Sequence, residues 1–150
     1  MKLSDQSSLP HPSMGKEAGS VADIARHLGN LRERFPGCTL AAFGDLNTRL
    51  LFRVSSENAC VQEYLDELCG LATRGFALVD TATGAGSNDT RANNEIVMFE
   101  PGETKVFVRS PANHYDFVCC IFLSDAPVSK IVSAAVVLLR DVAGESAPCH

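Results

Sequence analysis

Two short segments of the sequence, residues 38–43 (CTLAAF) and 117–123 (FVCCIFL), are apolar at almost every position. A strand with one face in water alternates apolar and polar residues, whereas a strand buried on both faces is apolar nearly throughout. These segments therefore predict two central strands of a sheet that is covered on both faces. The rest of the chain must supply helices for both sides of that sheet.

Helical periodicity predicts three helices that can provide this cover. In the first, apolar residues recur every three or four positions over 21–35, before a Pro-Gly pair. The second is predicted over 56–72, and residues 76–79 either extend it or form a short turn. The third follows Ser124-Asp125, has Pro127 in its first turn, and carries apolar residues as far as position 142.

Three further apolar runs, residues 50–54, 95–99 and 104–109, are bounded by turn residues and predict strands. The order is helix, two strands, helix, three strands, helix, with a long loop over 80–94. Short turns between consecutive strands predict an antiparallel sheet and an α+β fold. We expect one domain over 20–143, a flexible arm over 1–19 and a tail over 144–150.

The charge balance excludes several classes of partner. The chain has 13 Lys and Arg against 18 Asp and Glu, for a net charge of −5. Nucleic-acid binding depends on basic residues that neutralise phosphates, so we expect no nucleic-acid partner. No apolar run approaches the roughly 18 residues that a membrane span needs. Without an apolar export segment near the start, a cytoplasmic location is expected.

The cysteines and histidines indicate no catalytic or metal centre. Six cysteines occur without a CxxC motif, and we expect reduced, mostly buried thiols. Cys119 and Cys120 are adjacent in a strand, so their side chains should point to opposite faces. Cys38 and His114, with Asp116 to orient the imidazole, would form a nucleophile pair. Nothing supplies an oxyanion hole, so we expect a buried thiol and a turn histidine, with no cofactor.

Three segments resemble the roadblock / dynein light chain family. They are PGCTLAAFGDLNTRLLFRVS at 36–55, EYLDELCGLA at 63–72 and DFVCCIFLSDAPVSKIVSAAVVLLRDV at 116–142. The resemblance covers residues 20–143. It implies a five-stranded antiparallel sheet of order 2-1-5-4-3, with one helix on one face and two on the other. That order places strands 1 and 5 centrally, where the two apolar segments already indicate them.

The resemblance also implies dimers in which third strands pair edge to edge and second helices pack together. On the second helix of this chain, it makes Tyr64 and Leu68 expected contacts. Third strand pairing would involve residues 95–99 (EIVMF).

The composition of this third strand gives an independent reason to expect a homodimer. Ile96 and Met98 would lie on one face, and Val97 and Phe99 on the other. An open apolar edge promotes aggregation unless it is covered. We therefore expect the strand to pair with a second copy, burying on the order of 1,600 Å² or more.

The function that the resemblance implies is that of a non-enzymatic adaptor, which docks or regulates a small Ras-like GTPase or another signalling or motility partner. Two sets of charged residues are candidate partner contacts. Glu63 and Glu67 lie on the second helix, where a solvated acidic face is the simpler interpretation. Arg49, Arg53 and Arg91 are the exposed basic candidates.

A different class of function is a small-ligand sensor on a profilin- or PAS-like scaffold. Its pocket would lie between the sheet and a helix, near Phe43, Phe52 and Phe122. Such a sensor requires a cavity of roughly 300 Å³ or more, whereas an adaptor should have a filled core.

Overall fold

The computed structural model of the chain describes residues 23–83, 94–123 and 125–146. The predicted arm at 1–19, most of the predicted loop and the last four residues lie outside this description. The described elements follow the predicted order. The helices are α1 (Ile24–Arg34), α2 (Gln62–Thr83) and α3 (Val128–Ser146). The strands are β1 (Cys38–Asp45), β2 (Leu50–Ser56), β3 (Glu95–Glu100), β4 (Glu103–Arg109) and β5 (Asp116–Phe122).

The strands form one antiparallel sheet in the order β2-β1-β5-β4-β3. The two apolar segments are its central strands β1 and β5, as predicted. One core cluster joins the sheet to α1 and α3 through residues such as Leu28 and Ile131. The other joins it to α2 alone through Leu68 and Phe76. The two-layer cover, with one helix on one face and two on the other, is therefore confirmed.

The adjacent cysteines divide between these two clusters. Cys120 is buried on the α1 and α3 side, and Cys119 is buried on the α2 side. All five described cysteines have free thiols, and four of them are buried. The prediction of mostly buried thiols, with Cys119 and Cys120 on opposite strand faces, is confirmed for these residues.

The predicted bounds of α2 were wrong at both ends. The helix begins at Gln62 because Ser55 and Ser56 extend β2, where they pair with Ala41 and Leu40. The Ser56 hydroxyl donates to the Asn58 carbonyl at 2.6 Å, so this serine closes a turn rather than capping a helix. At its other end α2 continues to Thr83, four residues into the predicted loop. Similarly, α3 continues to Ser146, into the predicted tail.

Candidate interaction surface

Strand β3 is an edge strand, and within the described sheet it pairs only with β4. The Arg109 amide donates to the Asn94 carbonyl at 2.7 Å, which fixes the direction of the backbone groups. Along a strand of an antiparallel pair, residues whose N–H and C=O groups point toward the partner strand alternate with residues whose groups point away from it. We call the first kind inward-facing and the second kind outward-facing. The backbone groups of Glu95, Val97 and Phe99 therefore point away from β4. They form a row of hydrogen-bonding groups along an open edge, which we call the β3 edge.

The side chains of β3 are apolar on both faces, as predicted. Ile96 and Met98 pack against the cluster beneath α2. Val97 packs against the cluster beneath α1 and α3, on the opposite face. Phe99 is 74% exposed, which is unusually high for a phenylalanine. The β3 edge therefore combines free backbone groups with apolar side chains.

The flank of α2 next to β3 is also apolar. A Cβ added to Gly75 would lie 2.7 Å from Cδ1 of Ile96, so helix and strand approach closely at this glycine. Leu71 and Leu78 lie four residues before and three after Gly75, on the same helix face. Leu78 is 70% exposed. This leucine enlarges the apolar surface beside the β3 edge.

The two contacts expected on α2 occupy different environments. Tyr64 is half-buried, and its hydroxyl donates to Oε2 of Glu103 over 3.4 Å. Leu68 is completely buried in the core of its own chain. It therefore offers no side-chain surface to a second copy and is a core residue rather than an interface residue.

A buried ion-pair cluster fixes the hairpin between β3 and β4. The Lys105 ammonium lies 2.9 Å from Glu100 and 3.6 Å from Glu103. Burial alone lowers the pKa of Lys105, but the hydrogen bond to Glu100 and the charge of Glu103 outweigh it and raise the pKa. Burial and the Glu103 charge raise the pKa of Tyr64 as well. This cluster holds the hairpin that carries the β3 edge in a fixed geometry.

The opposite edge strand, β2, is less suited to strand pairing. Its register with β1 is interrupted between Phe43 and Gly44, and bulges are one way in which proteins block pairing at an edge. Arg53 and Arg49 are exposed there, and Arg49 has a left-handed backbone with φ of 61°. Exposed charge also opposes pairing. We therefore interpret β2 as a surface on which side chains rather than backbone are available to a partner. The arginines lie among three exposed apolar residues, Leu50, Phe52 and Val54.

The outer face of α2 is acidic. Glu63, Asp66 and Glu67 are exposed, and no Lys or Arg occurs between positions 57 and 73. The predicted acidic and basic partner residues thus lie on separate elements of the fold. The acidic residues are on α2, whereas Arg53 is in β2 and Arg49 directly precedes that strand. The remaining candidate, Arg91, lies outside the described residues.

A cleft of about 450 Å³ lies at the end of the sheet, between α2 and the loops on either side. Its buried charged residue is Arg109, whose guanidinium donates to both Asp80 carboxylate oxygens at 2.8 and 3.1 Å. The same guanidinium lies 4.6 Å from the centre of the Phe76 ring. The hydrogen bonds from Arg109 lower the pKa of Asp80. Sequence reasoning missed this pair, for which the signal was an arginine ending an apolar strand.

The Cys38–His114 nucleophile pair, which the sequence did not favour, does not form. Cys38 is paired with Phe122 at the far end of β5 from His114. Phe122 lies six positions beyond Asp116 in the strand, a distance of about 20 Å. Among the described residues, no three His, Cys, Asp or Glu side chains come together as a possible metal site. None of the described helices is long and apolar enough to cross a bilayer.

The place near three phenylalanines where the alternative sensor function would put a ligand pocket is filled by protein. Phe43 and Phe122 are both buried in the core cluster under α1 and α3. The ring of Phe52 lies 6.3 Å from that of Phe43, measured between centroids. None of these three residues lines the cleft beside Arg109. The cavity that the sensor alternative would place here is therefore absent, and the described core is filled at this position, as expected of an adaptor.

Comparison with known proteins agrees with this architecture. No family model matches the chain, and no curated protein matches its sequence. A Roadblock/LC7 domain from Streptomyces avermitilis is similar in structure, with 15% identity, 80% of this chain and 94% of that chain covered, and a TM-score of 0.65. The chain therefore has a roadblock-like fold, as the sequence resemblance implied.

Two MglB structures are also similar to this chain. One, described as MglB with a tetrameric arrangement, is 14% identical. The match covers 85% of this chain and 90% of that chain, with a TM-score of 0.66. The gliding protein MglB from Thermus thermophilus is 17% identical. The match covers 85% of this chain and 93% of that chain, with a TM-score of 0.63.

Proposed function

We propose that this protein is a dimeric adaptor without catalytic activity of its own, which presents a docking surface to a small Ras-like GTPase or another signalling or motility partner. One observation carries the proposal. Within the described residues of the roadblock-like fold, β3 pairs only with β4, and Phe99 and Leu78 are exposed beside its outward-facing backbone groups. A second copy is the partner that matches this edge in strand direction and apolar character.

Pairing of two β3 edges would remove unfavourable exposure at little electrostatic cost. The outward-facing groups of Glu95, Val97 and Phe99 would gain hydrogen bonds, and the apolar side chains around them would leave water. At the β2 edge the interrupted register would limit pairing, and a symmetric pair centred on Arg53 would bring two exposed arginines together. Like charges placed opposite each other destabilise strand pairing. Self-association through β3 is therefore favoured over self-association through β2.

The acidic face of α2 and the basic face of β2 remain outside a β3-centred interface. They give the dimer two surfaces of opposite charge, and such surfaces direct association with a charged partner. An adaptor of this kind would act on a GTPase by positioning the GTPase's own residues for hydrolysis. Arg49 and Arg53 would contact the partner as surface charges.

The dimer is tested by sedimentation equilibrium at micromolar concentration. We expect wild-type protein to be dimeric and the Val97→Asp variant to be monomeric, because the new carboxylate would be buried in the pairing. Val137→Asp introduces the same charge at an exposed position of α3 and should leave the dimer intact. A monomeric wild-type protein would contradict the proposal.

The partner is tested by affinity capture with mass spectrometry. Immobilised wild-type protein should retain a small Ras-like GTPase from its source cells, and Val97→Asp should retain much less of it. The capture is carried out with added GDP and with added GTP. If no GTPase is retained under either condition, a small Ras-like GTPase is not the partner. Equal retention by both proteins would show that the docking surface for the GTPase does not require the dimer.

A second candidate function, a small-ligand sensor, is favoured by the cleft beside Arg109. At about 450 Å³ this cleft exceeds the volume that small-ligand sites need. Arg49 and His114 line it together with Arg109. A sensor should release a bound anion on denaturation, detectable by mass spectrometry. Native and denatured samples without any such ligand would favour the adaptor.

A further inference from the structure

The backbone of the β3 edge restricts how two copies can pair. Hydrogen bonds form only when outward-facing residues of one strand oppose outward-facing residues of the other. In β3 those residues are Glu95, Val97 and Phe99. A single two-fold register engages all three in both copies. It places Val97 opposite Val97 and Glu95 opposite Phe99.

Within the strand, a register centred on Ile96 pairs only Glu95 with Val97. It leaves Phe99 without an outward-facing partner from β3. Two further symmetric registers are worse on physical grounds. A register centred on Glu95 places two carboxylates side by side, and such like-charge pairs are destabilising. A shift in the other direction brings Pro101 opposite an outward-facing residue, and proline has no N–H to donate. The Val97-centred register avoids all of these problems.

This register has a consequence for Phe99. Val97 packs on the face that α1 and α3 cover, and alternation places Glu95 and Phe99 on that same face. Phe99 of the second copy therefore lies beside Glu95 and below α3. A cavity of about 280 Å³ lies at that place, between the sheet and α3. Its lining includes Glu95, Val108, Pro111, Val132, Val136 and Arg140.

The cavity matches a phenyl ring in size and chemistry. A cavity of roughly 150 Å³ is sufficient to hold benzene. The valines and the proline supply apolar walls, and Arg140 supplies a cation of the kind that packs over aromatic faces. Within its own chain, Phe99 is mostly exposed.

We propose that Phe99 of each protomer inserts into the cavity beneath α3 of the other protomer, in a two-fold dimer whose β3 strands pair around Val97. The inference rests on the proposed dimer and specifies its register and principal contact. Each protomer contributes one phenylalanine and one cavity. Two equivalent sites result, and neither is complete in a single chain.

The energetic test compares dimer dissociation constants. Phe99→Ala should weaken the dimer at least about tenfold, as expected for a central aromatic anchor. Val136→Phe fills the cavity from within its own chain and should weaken the dimer similarly. Because the two substitutions remove the same contact, combining them should weaken it little further. Leu50→Ala, at an exposed leucine of β2, is the matched control and should stay within about twofold.

The register is tested by disulfide formation under mild oxidation. In the proposed dimer the Val97 Cα atoms lie about 5.5 Å apart, within disulfide range. The two Glu95 positions lie four residues out of register, about 13 Å apart. Val97→Cys should therefore form a covalent dimer, and Glu95→Cys should not. Oxidised wild-type protein controls for the native thiols.

The outcomes separate this inference from the proposed function. A wild-type protein that is monomeric contradicts the proposed dimer itself. A wild-type dimer that tolerates Phe99→Ala, or cross-links through Glu95→Cys, overturns the register and the phenylalanine contact alone. Phe99→Ala changes an exposed side chain, so its result does not depend on whether Val136→Phe folds.

Discussion

Arg109 and Asp80, 29 positions apart in the chain, form a two-pronged ion pair that fastens the end of α2 to strand β4. The side chain of Arg109 is 5% exposed and that of Asp80 is 55% exposed. The pair therefore sits at the boundary of the core, with the cation inside and the anion at the surface. The Asn94 amide oxygen accepts a further hydrogen bond from Arg109 at 3.1 Å, next to the start of β3. This arginine thus connects α2, β4 and the β3 edge.

Asp80→Ala is expected to lower the free energy of unfolding by about 1 kcal/mol, because it leaves a buried guanidinium with fewer acceptors. The pKa of Asp80 is lowered in the folded state, so its contribution is present above the ordinary carboxyl pKa and is lost as the pH falls through the folded value. Urea denaturation at pH 7 and pH 3 should show a smaller deficit at pH 3 than at pH 7. Asp66→Ala, an exposed acid on the same helix, is the control. A deficit of equal size at both pH values would contradict the ion-pair explanation.

Gly44 and Gly29 should respond in opposite directions to the same substitution. A Cβ on Gly44 would lie 2.8 Å from both the Leu50 carbonyl oxygen and a Phe117 ring carbon. Gly44→Ala should therefore cost about 2 kcal/mol of stability through overpacking. Gly29→Ala meets open space in α1 and should gain about 0.5–1 kcal/mol. Thermal unfolding of both variants checks this, and a stable Gly44→Ala would refute the close packing at this position.

Tyr64 should make stability depend on alkaline pH. Its pKa is raised in the folded state, so its contribution is present below the ordinary tyrosine pKa of about 10 and is lost as the pH rises further. Between pH 8 and pH 10.5, wild-type protein should lose more stability than Tyr64→Phe. Chemical denaturation at the two pH values measures the difference. Tyr115→Phe is the control, because Tyr115 is exposed, and equal losses in all three proteins would contradict the prediction.

The thiols should react at very different rates. Cys60 is the half-buried thiol among the five described cysteines, and the other four are buried. Burial raises the pKa of Cys69 and Cys119, which lowers their thiolate fraction at neutral pH. Alkylation by iodoacetamide at pH 7.5, mapped by peptide mass spectrometry, should therefore be at least tenfold faster at Cys60 than at the four buried cysteines. Fast and selective labelling of Cys38 would instead indicate a nucleophilic site.

The acidic face of α2 should affect partner binding without affecting the fold. Reversing Glu63 and Glu67 to lysine should weaken capture of the GTPase at low salt by about tenfold, and high salt should reduce the difference. Thr81→Lys adds a positive charge elsewhere on the helix and is the control. The partner-binding role of this face would be lost if the double variant captured the GTPase as well as wild type.

The predicted sheet order was implied by the family resemblance and is correct, and local apolar patterns indicated independently which two strands are central. Residues 38–43 and 117–123 are apolar on both faces, and such strands have stable positions only at the centre of a covered sheet. The errors fell where local signals were ambiguous. Ser56 is a good helix-capping residue by type, but pairing with Leu40 kept it in β2. Leu68 lies on the apolar stripe of α2, and packing against the sheet used that stripe within the chain.

The sequence by itself determined which segments are strands and helices, which of them are central, and that β3 is apolar on both faces. Tertiary structure alone decided that Asp80 meets Arg109, that β2 is interrupted whereas β3 is continuous, and that a cavity lies under α3 beside Glu95. The reason is that periodicity is a property of neighbouring residues. Contacts between distant residues depend instead on sheet order, register and helix placement, which arise only when the whole domain packs.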